Sequence, residues 1–219
     1  MKPGYFITGT DTDVGKTWAS VALMRALQAK GLVVSGMKPV AAGCEWLHGG
    51  WKNQDALLLQ RNSSLVLDYQ QINPYAFERP VSPHVACGDV RVSINVILSA
   101  FDELNATSDC IVVEGAGGWL SPVSHDLDNA ALAKSLKLPV VLIVGMRLGC
   151  INHARLTAQA IIQSGLDIEG WLAVQLEPHM PEFQANLEFL HISLNVPFLG
   201  MLPYLTSPDF DLLASHIKI

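Results

Sequence analysis

The chain has 219 residues, of which 50% are hydrophobic and 16% are charged, and its formal net charge is −6 at pH 7. This hydrophobic fraction is large enough to bury a sizeable core and excludes a largely disordered chain. The acidic balance, without any run of Lys and Arg, excludes a general nucleic-acid binder, since phosphate backbones are bound by clustered basic side chains. The length predicts one α/β domain over residues 1–219.

The cysteines and the hydropathy pattern predict a cytoplasmic protein. Cys44, Cys87, Cys110 and Cys150 are widely spaced and form no Cys-x-x-Cys pair. We therefore expect neither zinc nor thioredoxin-type redox chemistry, but buried free thiols in a reducing compartment. Residues 1–4 lead straight into a short apolar run that lacks the apolar core of a signal peptide, and no apolar stretch approaches the ~20 residues of a membrane helix.

Short apolar runs alternate with helix-length amphipathic segments along the chain. The predicted strands are Tyr5–Thr8, Val33–Met37, Cys110–Val113, Val140–Val144, Gly170–Val174 and Phe198–Met201. The predicted helices cover residues 16–30, 53–61, 91–105, 127–137, 151–164 and 181–194. Several strands are apolar on both faces, as expected when helices cover both sides of a sheet. This alternation predicts an α/β fold with a doubly wound, mostly parallel sheet.

The residues that follow each strand are the candidate functional residues, because ligands of such sheets bind beyond the carboxyl ends of the strands. These segments are Gly9–Thr17, Lys38–Gly43, Glu114–Gly118, Gly145–Asn152, Gln175 and Pro203–Leu205. They contain most of the chain's glycine-rich and charged motifs, so the site is expected at this edge of the sheet.

The segment Gly9–Thr17 joins the first strand to the first helix and predicts a phosphate-binding loop. In such a loop, backbone N–H groups and the helix N-terminus bind phosphate. Lys16 would place a positive charge on the terminal phosphates, and the Thr17 hydroxyl would bind Mg²⁺. The spacing departs from the usual pattern, whose first glycine would fall at Thr10 instead of Gly9. The alternative is a chance Gly-Lys-Thr triplet in a strand-to-helix turn.

Glu114 follows the third apolar strand and is followed by the glycine-rich run Gly115–Gly118. A carboxylate at this place can bind Mg²⁺ directly or through water, and glycines allow the backbone to approach phosphate closely. The alternative for Glu114 is a solvated loop carboxylate. The run does not match the G-x-G-x-x-G fingerprint of dinucleotide-binding oxidoreductases, so that class is not supported.

Lys38 and Asp55 are two further candidates whose roles the spacing leaves open. Lys38 ends the second strand beside the phosphate loop, where it could neutralise charge on a transferred phosphoryl group, or it could be an exposed surface lysine. Asp55 lies at the start of the next helix. It could stabilise that helix N-terminus or serve as another Mg²⁺ ligand.

Taken together, these motifs resemble the dethiobiotin synthetase family. The matching segments are Thr8–Thr17, Gly36–Val40, Asn53–Ala56, Asn73–Tyr75, Ser82–His84, Val113–Gly118, Leu148–Ala154 and Gly170-Trp171, within about residues 4 to 205. The resemblance implies a P-loop NTPase-like fold and an ATP- and Mg²⁺-dependent ligation in biotin biosynthesis. In that reaction CO₂ adds to one amine of 7,8-diaminononanoate, ATP phosphorylates the carbamate, and the second amine closes a ureido ring.

The resemblance also implies a role for each matching residue. Lys16 and Lys38 would be catalytic, stabilising the phosphoryl group and the carbamate, while Thr17, Asp55 and Glu114 would bind Mg²⁺. The nucleotide would contact Asp13, Val14, Gly15, Lys16, Thr17, Trp18, Asp55, Glu114, Gly115, Ala116, Gly117, Gln175, Pro203, Tyr204 and Leu205. The diamine would contact Thr12, Lys38, Ala42 and Ser82 and, across a homodimer interface, Gly149, Cys150, Ile151 and Asn152 of the second protomer.

Two positions depart from the family pattern. Ala42 stands where the family commonly has a serine, so a hydrogen bond to the substrate worth about 0.5–1.5 kcal/mol would be missing. Val174 stands where the family has an asparagine that reads the adenine ring. Gln175 is adjacent, but neighbouring residues of a strand point to opposite faces. The departures therefore leave base selectivity open.

Three other functions remain as alternatives. One is another P-loop ligase or a partitioning-type ATPase, although many of the latter carry an additional lysine early in the loop, and Gly9–Val14 contains none. A second is a nucleotide-switched binding protein, which would need loops that reorganise around the γ-phosphate. The third is a homologue that binds nucleotide without catalysis.

The substrate amines are the nucleophiles in the implied reaction, so His84 and His153 are expected to be structural.

Overall fold

The computed structural model describes residues 4–219, and the expectation for residues 1–3 lies outside that range. Its strands are β1 (Gly4–Gly9), β2 (Val34–Met37), β3 (Val40–Ala41), β4 (Glu45–Leu47), β5 (Gly50–Lys52), β6 (Tyr75–Ala76), β7 (Cys110–Gly118), β8 (Val140–Met146), β9 (Ile168–Gln175) and β10 (Phe198–Leu202). Its helices are α1 (Lys16–Gln28), α2 (Gln54–Asn62), α3 (Tyr69–Ile72), α4 (Pro83–Ala86), α5 (Ile94–Thr107), α6 (Asn129–Leu136), α7 (Cys150–Gln163), α8 (Phe183–Leu194) and α9 (Phe210–Ser215).

Six strands form one parallel sheet in the order β10-β9-β8-β1-β7-β2. The strand order reverses around β1: the chain first builds β2 and β7 on one side of it and then β8, β9 and β10 on the other. A crevice at such a reversal, beyond the carboxyl ends of the strands, is the usual ligand site of a doubly wound sheet. The predicted α/β fold with a parallel sheet is therefore confirmed.

The core lies on both faces of the central strands. Every residue of β8 is buried, and Phe6 of β1 packs edge-on against Trp119 with ring centroids 6.2 Å apart. Such two-sided burial explains why these strands are continuous apolar runs without alternation. The four cysteines are buried free thiols, as expected. No helix within residues 4–219 is both long and apolar enough to cross a membrane.

Several element boundaries differ from those predicted. The strand expected to end at Val113 continues as β7 to Gly118, so Glu114 lies inside the strand and not after it. The pairing of Gly118 with Gly9 of β1 extends it. Likewise, β8 extends to Met146, and α1 ends before Lys30. The β4–β5 hairpin, the β3–β6 pair and the helices α3, α4 and α9 were not predicted, because elements this short carry no readable periodicity.

Candidate active site

The loop between β1 and α1 is anchored by a buried valine. Val14 is fully buried, and a Cβ atom on Gly9 would lie 2.6 Å from Val14 Cγ2, so only glycine fits at that position. This contact explains why the first glycine of the loop is Gly9 and not residue 10. At the other end, Gly15 has φ +85°, a left-handed conformation that glycine adopts without strain, and Lys16 then begins α1.

Lys16 is held by the loop itself. Its Nζ donates to the carbonyl of Asp11 at 2.8 Å. Burial lowers the pKa of Lys16 to about 8. The Glu114 carboxylate acts to raise this pKa, and the nearby Lys38 ammonium acts to lower it further. The Asp11 carboxylate accepts from the backbone N–H of Thr12 at 2.8 Å and from Arg147 Nη2 at 2.5 Å. The loop is thereby tied to the connection between β8 and α7.

A charged cluster lies next to this loop, where Lys38 follows β2 and Glu114 lies in the middle of β7. Lys38 Nζ donates to Glu114 Oε1 at 2.6 Å and to Asp55 Oδ2 at 2.7 Å. Glu114 is completely buried and Lys38 is only 5% exposed. The alternatives of a solvated loop carboxylate and an exposed surface lysine are therefore wrong. The cap of α2 is Asn53, whose side chain accepts from two N–H groups, while the Asp55 side chain turns to Lys38.

Opposite charges favour the ionised forms of Lys38 and Asp55 despite their burial. Burial acts to lower the pKa of Lys38, but the carboxylates of Glu114 and Asp55 outweigh it, and the pKa is raised. Burial acts to raise the pKa of Asp55, but the Lys38 ammonium outweighs it, and the pKa is lowered. A buried ion pair is costly to desolvate, and removing one partner leaves an uncompensated charge. A buried cluster of charged groups with shifted pKa values is typical of a functional site.

Three oxygen-bearing side chains meet where the sequence predicts a metal. Thr17 Oγ1 donates to Glu114 Oε1 at 3.0 Å, and Lys38 Nζ donates to both Glu114 and Asp55. Mg²⁺ prefers oxygen ligands and is commonly bound by one or two carboxylates together with phosphates and water. Within the described residues, no group of three or more His, Cys, Asp or Glu side chains could hold a metal ion alone. The donor set therefore fits an Mg²⁺ ion shared with nucleotide phosphates.

An open cleft of about 820 Å³ adjoins the cluster. The predicted site residues that line it are Thr12, Asp13, Gly15, Lys16, Thr17, Trp18, Lys38, Ala42, Asp55, Ser82, Glu114, Ala116 and Gly117. Val14 and Gly115 do not line it. A Cβ atom on Gly115 would lie 2.9 Å from Asn129 Oδ1, so this glycine makes room for an asparagine that bonds the end of β7. The contact of Gly115 with the nucleotide stays a prediction.

One wall of the cleft is formed by two loops that face each other. The loop after Lys38 contributes Ala42, and it is held by the bond from the Gly43 N–H to the Arg79 carbonyl at 3.0 Å. The opposite segment contributes Ser82, whose hydroxyl shares a hydrogen bond of 2.8 Å with His84 Nδ1. This wall and the phosphate loop therefore line the same cleft.

The segment Gly149–Asn152 lies away from this cleft. Asn152 lines a separate groove on α7 and α8, and Cys150 is buried with its N–H donating to the Arg147 carbonyl at 3.0 Å. Of the four predicted residues, Cys150 therefore has neither a free side chain nor a free N–H to offer. The contact of this segment with substrate across a dimer interface stays a prediction.

A smaller slot of about 240 Å³ continues from the cleft past Trp18. Its lining residues are Gly15, Trp18, Val174, Gln175, Leu176, Leu202, Pro203, Tyr204, Leu205 and Leu213. Val174 and Gln175 both line it although they are neighbours, so the expectation that only one could face it is wrong at this strand end. Gln175 Nε2 donates to the Pro178 carbonyl at 3.2 Å. The slot is almost entirely apolar.

Three contributors to the site were not predicted. Ser20 Oγ donates to Glu114 Oε2 at 2.9 Å from one turn beyond Lys16, and a serine on the buried face of an apolar helix was the available signal. Asn53 lines the cleft and caps α2, which its place as the first residue of the predicted helix 53–61 could have indicated. Ser121 accepts from the Gly118 N–H at 2.8 Å, and no pattern announced it.

Comparison with known proteins identifies relatives of this chain. The family model described as an AAA domain matches residues 3–209. The ATP-dependent dethiobiotin synthetase BioD of Xanthomonas campestris pv. campestris is 46% identical over 219 residues, covering 99% of this chain and 98% of that protein. Proteins of the same name from Xanthomonas oryzae pv. oryzae and Xylella fastidiosa are 47% and 44% identical, covering 95% and 92% of this chain and 93% and 90% of their own lengths.

Solved structures share the fold at low sequence identity. The cell division protein FtsY of Thermotoga maritima has a TM-score of 0.56 at 12% identity, covering 98% of this chain and 68% of its own. The septum site-determining protein MinD of Pyrococcus horikoshii, solved with Mg-ADP, has a TM-score of 0.54 at 16% identity, covering 93% and 82%. These likenesses show a P-loop NTPase fold, and the extensive identity to the curated relatives goes further. The chain belongs to the dethiobiotin synthetase family.

Proposed function

We propose that this chain is an ATP-dependent dethiobiotin synthetase that carboxylates 7,8-diaminononanoate with CO₂ and closes the ureido ring, releasing ADP and phosphate. The observation that carries the proposal is the buried cluster of Lys38, Asp55 and Glu114 beside Lys16, in a cleft of about 820 Å³ that extends from the phosphate loop to Ala42 and Ser82. Two cations at one point are suited to an anionic carbamate that meets a phosphoryl group.

The chain's own residues act by placement and charge. The loop N–H groups and the N-terminus of α1 bind the β- and γ-phosphates, and Lys16 pairs with them after leaving the Asp11 carbonyl. Lys38 lies where the carbamate oxygen would meet the γ-phosphorus, so it offsets negative charge that builds up during transfer. No protein nucleophile is needed, since the substrate amines attack, and the rate comes from in-line positioning.

Mg²⁺ is part of the proposal, with Thr17, Asp55 and Glu114 as its protein ligands. When bound, the ion neutralises charge on the β- and γ-phosphates. The hydroxyl and two carboxylates are hard oxygen donors next to the phosphate loop, which supports the assignment. The Lys38 ammonium lowers the pKa of Asp55, which keeps that carboxylate ionised and able to bind a cation.

The proposed enzyme is a cytoplasmic homodimer whose diamine site is completed by the segment Gly149–Asn152 of the second protomer. Two leucines support a protein contact near that segment, because Leu148 is 97% exposed and Leu156 is 58% exposed. Four buried free thiols suit a reducing compartment. A Leu148→Asp variant is expected to shift the mass measured by light scattering from dimer to monomer, whereas an unmodified chain that is monomeric at assay concentration would contradict this part.

The synthetase activity is tested by phosphate release from Mg-ATP and bicarbonate, with and without 7,8-diaminononanoate. We expect turnover that requires the diamine and that is lost in Lys16→Ala and Lys38→Ala, with dethiobiotin identified by mass spectrometry. Phosphate release that is independent of the diamine would favour another P-loop ATPase. Binding of ATP without any turnover would favour a switch protein or a homologue without catalysis.

A further inference from the structure

A chain of buried hydrogen bonds runs beneath the cleft, from the start of α2 to the end of β2. The Asn53 N–H donates to Tyr69 Oη at 2.7 Å, and that hydroxyl donates to Asn73 Oδ1 at 2.8 Å. The Asn73 amide in turn donates to the carbonyl of Lys38 at 2.7 Å. Each of these four residues is at most 9% exposed, so water does not compete for these bonds.

Both ends of this chain hold a residue of the charged cluster. At one end, Asn53 Oδ1 accepts from the Asp55 N–H at 3.1 Å, which caps α2 and fixes its first turn. At the other end, Lys38 is held through both backbone groups, because its N–H donates to the Ile72 carbonyl at 2.8 Å while its own carbonyl accepts from Asn73. The chain therefore sets where Lys38 lies relative to Asp55.

The Tyr69 hydroxyl is the central link of the chain. Burial raises the pKa of Tyr69 to about 12, so at neutral pH the hydroxyl keeps the proton that it donates to Asn73. Lys52 Nζ lies 3.7 Å from the centre of the Tyr69 ring and holds it by cation–π attraction. Neither Tyr69 nor Asn73 lines the cleft. Any influence of these two side chains on the reaction therefore acts through the residues that they bond, with Lys38 at one end and Asn53 and Asp55 at the other.

We propose that Tyr69 and Asn73 are positioning residues that hold Lys38 at the distance from Asp55 that phosphoryl transfer requires. Where catalysis depends on placement, a displacement of about 1 Å lowers the rate by about 100-fold. Loss of one link displaces Lys38 by less than this, so a decrease of roughly tenfold is expected. The inference rests on the role that the proposed function gives to Lys38.

The decisive variants are Tyr69→Phe and its matched control, Tyr75→Phe. Tyr75 Oη accepts from the Ser93 N–H at 2.9 Å, so each variant keeps its ring and deletes a phenol hydroxyl that serves one backbone N–H. The bond of Tyr75 leads away from the cleft to the start of α5, whereas that of Tyr69 leads to Lys38. Comparable stability losses are expected in thermal unfolding of the two variants.

Turnover and binding are measured together for both variants. For Tyr69→Phe we expect kcat to fall about tenfold while KM for ATP stays within about twofold, because the phosphate loop is untouched. Calorimetric titration with Mg-ADP should give full stoichiometry in both variants, which shows that the lost rate is not a lost fraction of folded protein. Asn73→Asp repeats the test, since a carboxylate keeps the side-chain shape but cannot donate to the Lys38 carbonyl.

A second readout follows Lys38 without turnover. Acylation of Lys38 by acetic anhydride, quantified by mass spectrometry, should accelerate in Tyr69→Phe and not in Tyr75→Phe. Equal losses of kcat in the two variants, or a loss that parallels ADP stoichiometry, would overturn the inference and leave Tyr69 a stabilising residue. If the unmodified chain shows no diamine-dependent turnover but the labelling difference persists, the proposed function fails while the placement of Lys38 by Tyr69 stands.

Discussion

The two ends of the nucleotide cleft are built by different means. At the phosphate end, Lys38 bridges two carboxylates at 2.6 and 2.7 Å, and Lys16 and Thr17 each bond a neighbour within 3.0 Å. At the base end, an apolar slot is lined by aliphatic and aromatic side chains, and its one amide, Gln175, is engaged with a backbone carbonyl. The phosphate end is therefore defined by ion pairs and hydrogen bonds, and the base end by the packing of apolar side chains.

This difference teaches where residue identity matters. A buried charge requires a specific partner at a specific distance, so a substitution at the phosphate end leaves a group uncompensated. Apolar walls tolerate exchange among side chains of similar volume. We therefore expect large effects on catalysis at one end and small effects on nucleotide preference at the other, and four predictions test that gradient.

The largest effect is expected for Lys38→Ala. Loss of this cation removes charge stabilisation worth about 10²–10³ in kcat. It also leaves the completely buried Glu114 without its cation, which destabilises the fold by about 3–5 kcal/mol. The measurements are diamine-dependent phosphate release and the free energy of unfolding in urea.

The double variant Lys38→Met with Glu114→Gln separates the two consequences of that change. Both charges are then replaced by neutral side chains of similar length, so most of the lost stability should return while turnover stays absent. A double variant that regained substantial turnover would show that the Lys38 charge is not part of the chemistry. It would also contradict the conclusion that specific charges are required at the phosphate end.

The next effect concerns the pH dependence set by Lys16. With its pKa lowered to about 8, mainly by burial, Lys16 is cationic below that pH and loses its charge above it. The value of kcat/KM for ATP should therefore decline above about pH 8, approaching tenfold per pH unit. Between pH 8 and 10.5 the unfolded chain binds a proton that the folded chain lacks, so the contribution of Lys16 to stability rises with pH while activity falls.

Lys16→Arg is the control for this assignment. A guanidinium keeps its charge across the whole range, so the decline should disappear even if the overall rate is lower. If the same alkaline decline persisted in Lys16→Arg, it would belong to another group, because the guanidinium does not titrate in this pH range.

Ser20→Ala should have a moderate effect at the phosphate end. Ser20 donates to Glu114 Oε2, so its loss leaves a buried carboxylate oxygen short of one bond, at a cost of about 1–3 kcal/mol in stability. A decrease in kcat of roughly fivefold is expected from the less restrained carboxylate. Ser35→Ala removes a buried hydroxyl of β2 that shares a hydrogen bond with Ser108 at the end of α5, and it serves as control. It should lose stability without losing kcat, and an equal loss of kcat would contradict the role of Ser20.

The same gradient explains what could be predicted from the sequence. The phosphate loop is local, and its chemistry requires Lys16 and Thr17 at adjacent positions, so a motif announces them. Glu114 was predicted from its place near a strand end, but the strand continues beyond it because Gly118 pairs with β1, a contact across more than 100 residues that no local pattern encodes. The Tyr69–Asn73 link was missed because α3 has only four residues.

The base end gives the smallest expected effect and tests the other half of the comparison. Val174 offers no hydrogen bond to a nucleobase, so the unmodified chain should discriminate weakly among ATP, GTP and CTP. Val174→Asn adds one amide to the slot, and a single hydrogen bond of about 0.5–1.5 kcal/mol corresponds to a change of roughly two- to tenfold in relative KM, with kcat unchanged. Val174→Leu, which has nearly the shape of asparagine but no hydrogen-bonding group, controls for altered packing against Gly15. A preference for ATP above about 100-fold in the unmodified chain would exceed what one such bond supplies. In that case the backbone of residues 175–205 would read the base, and the two ends of the cleft would be equally specific.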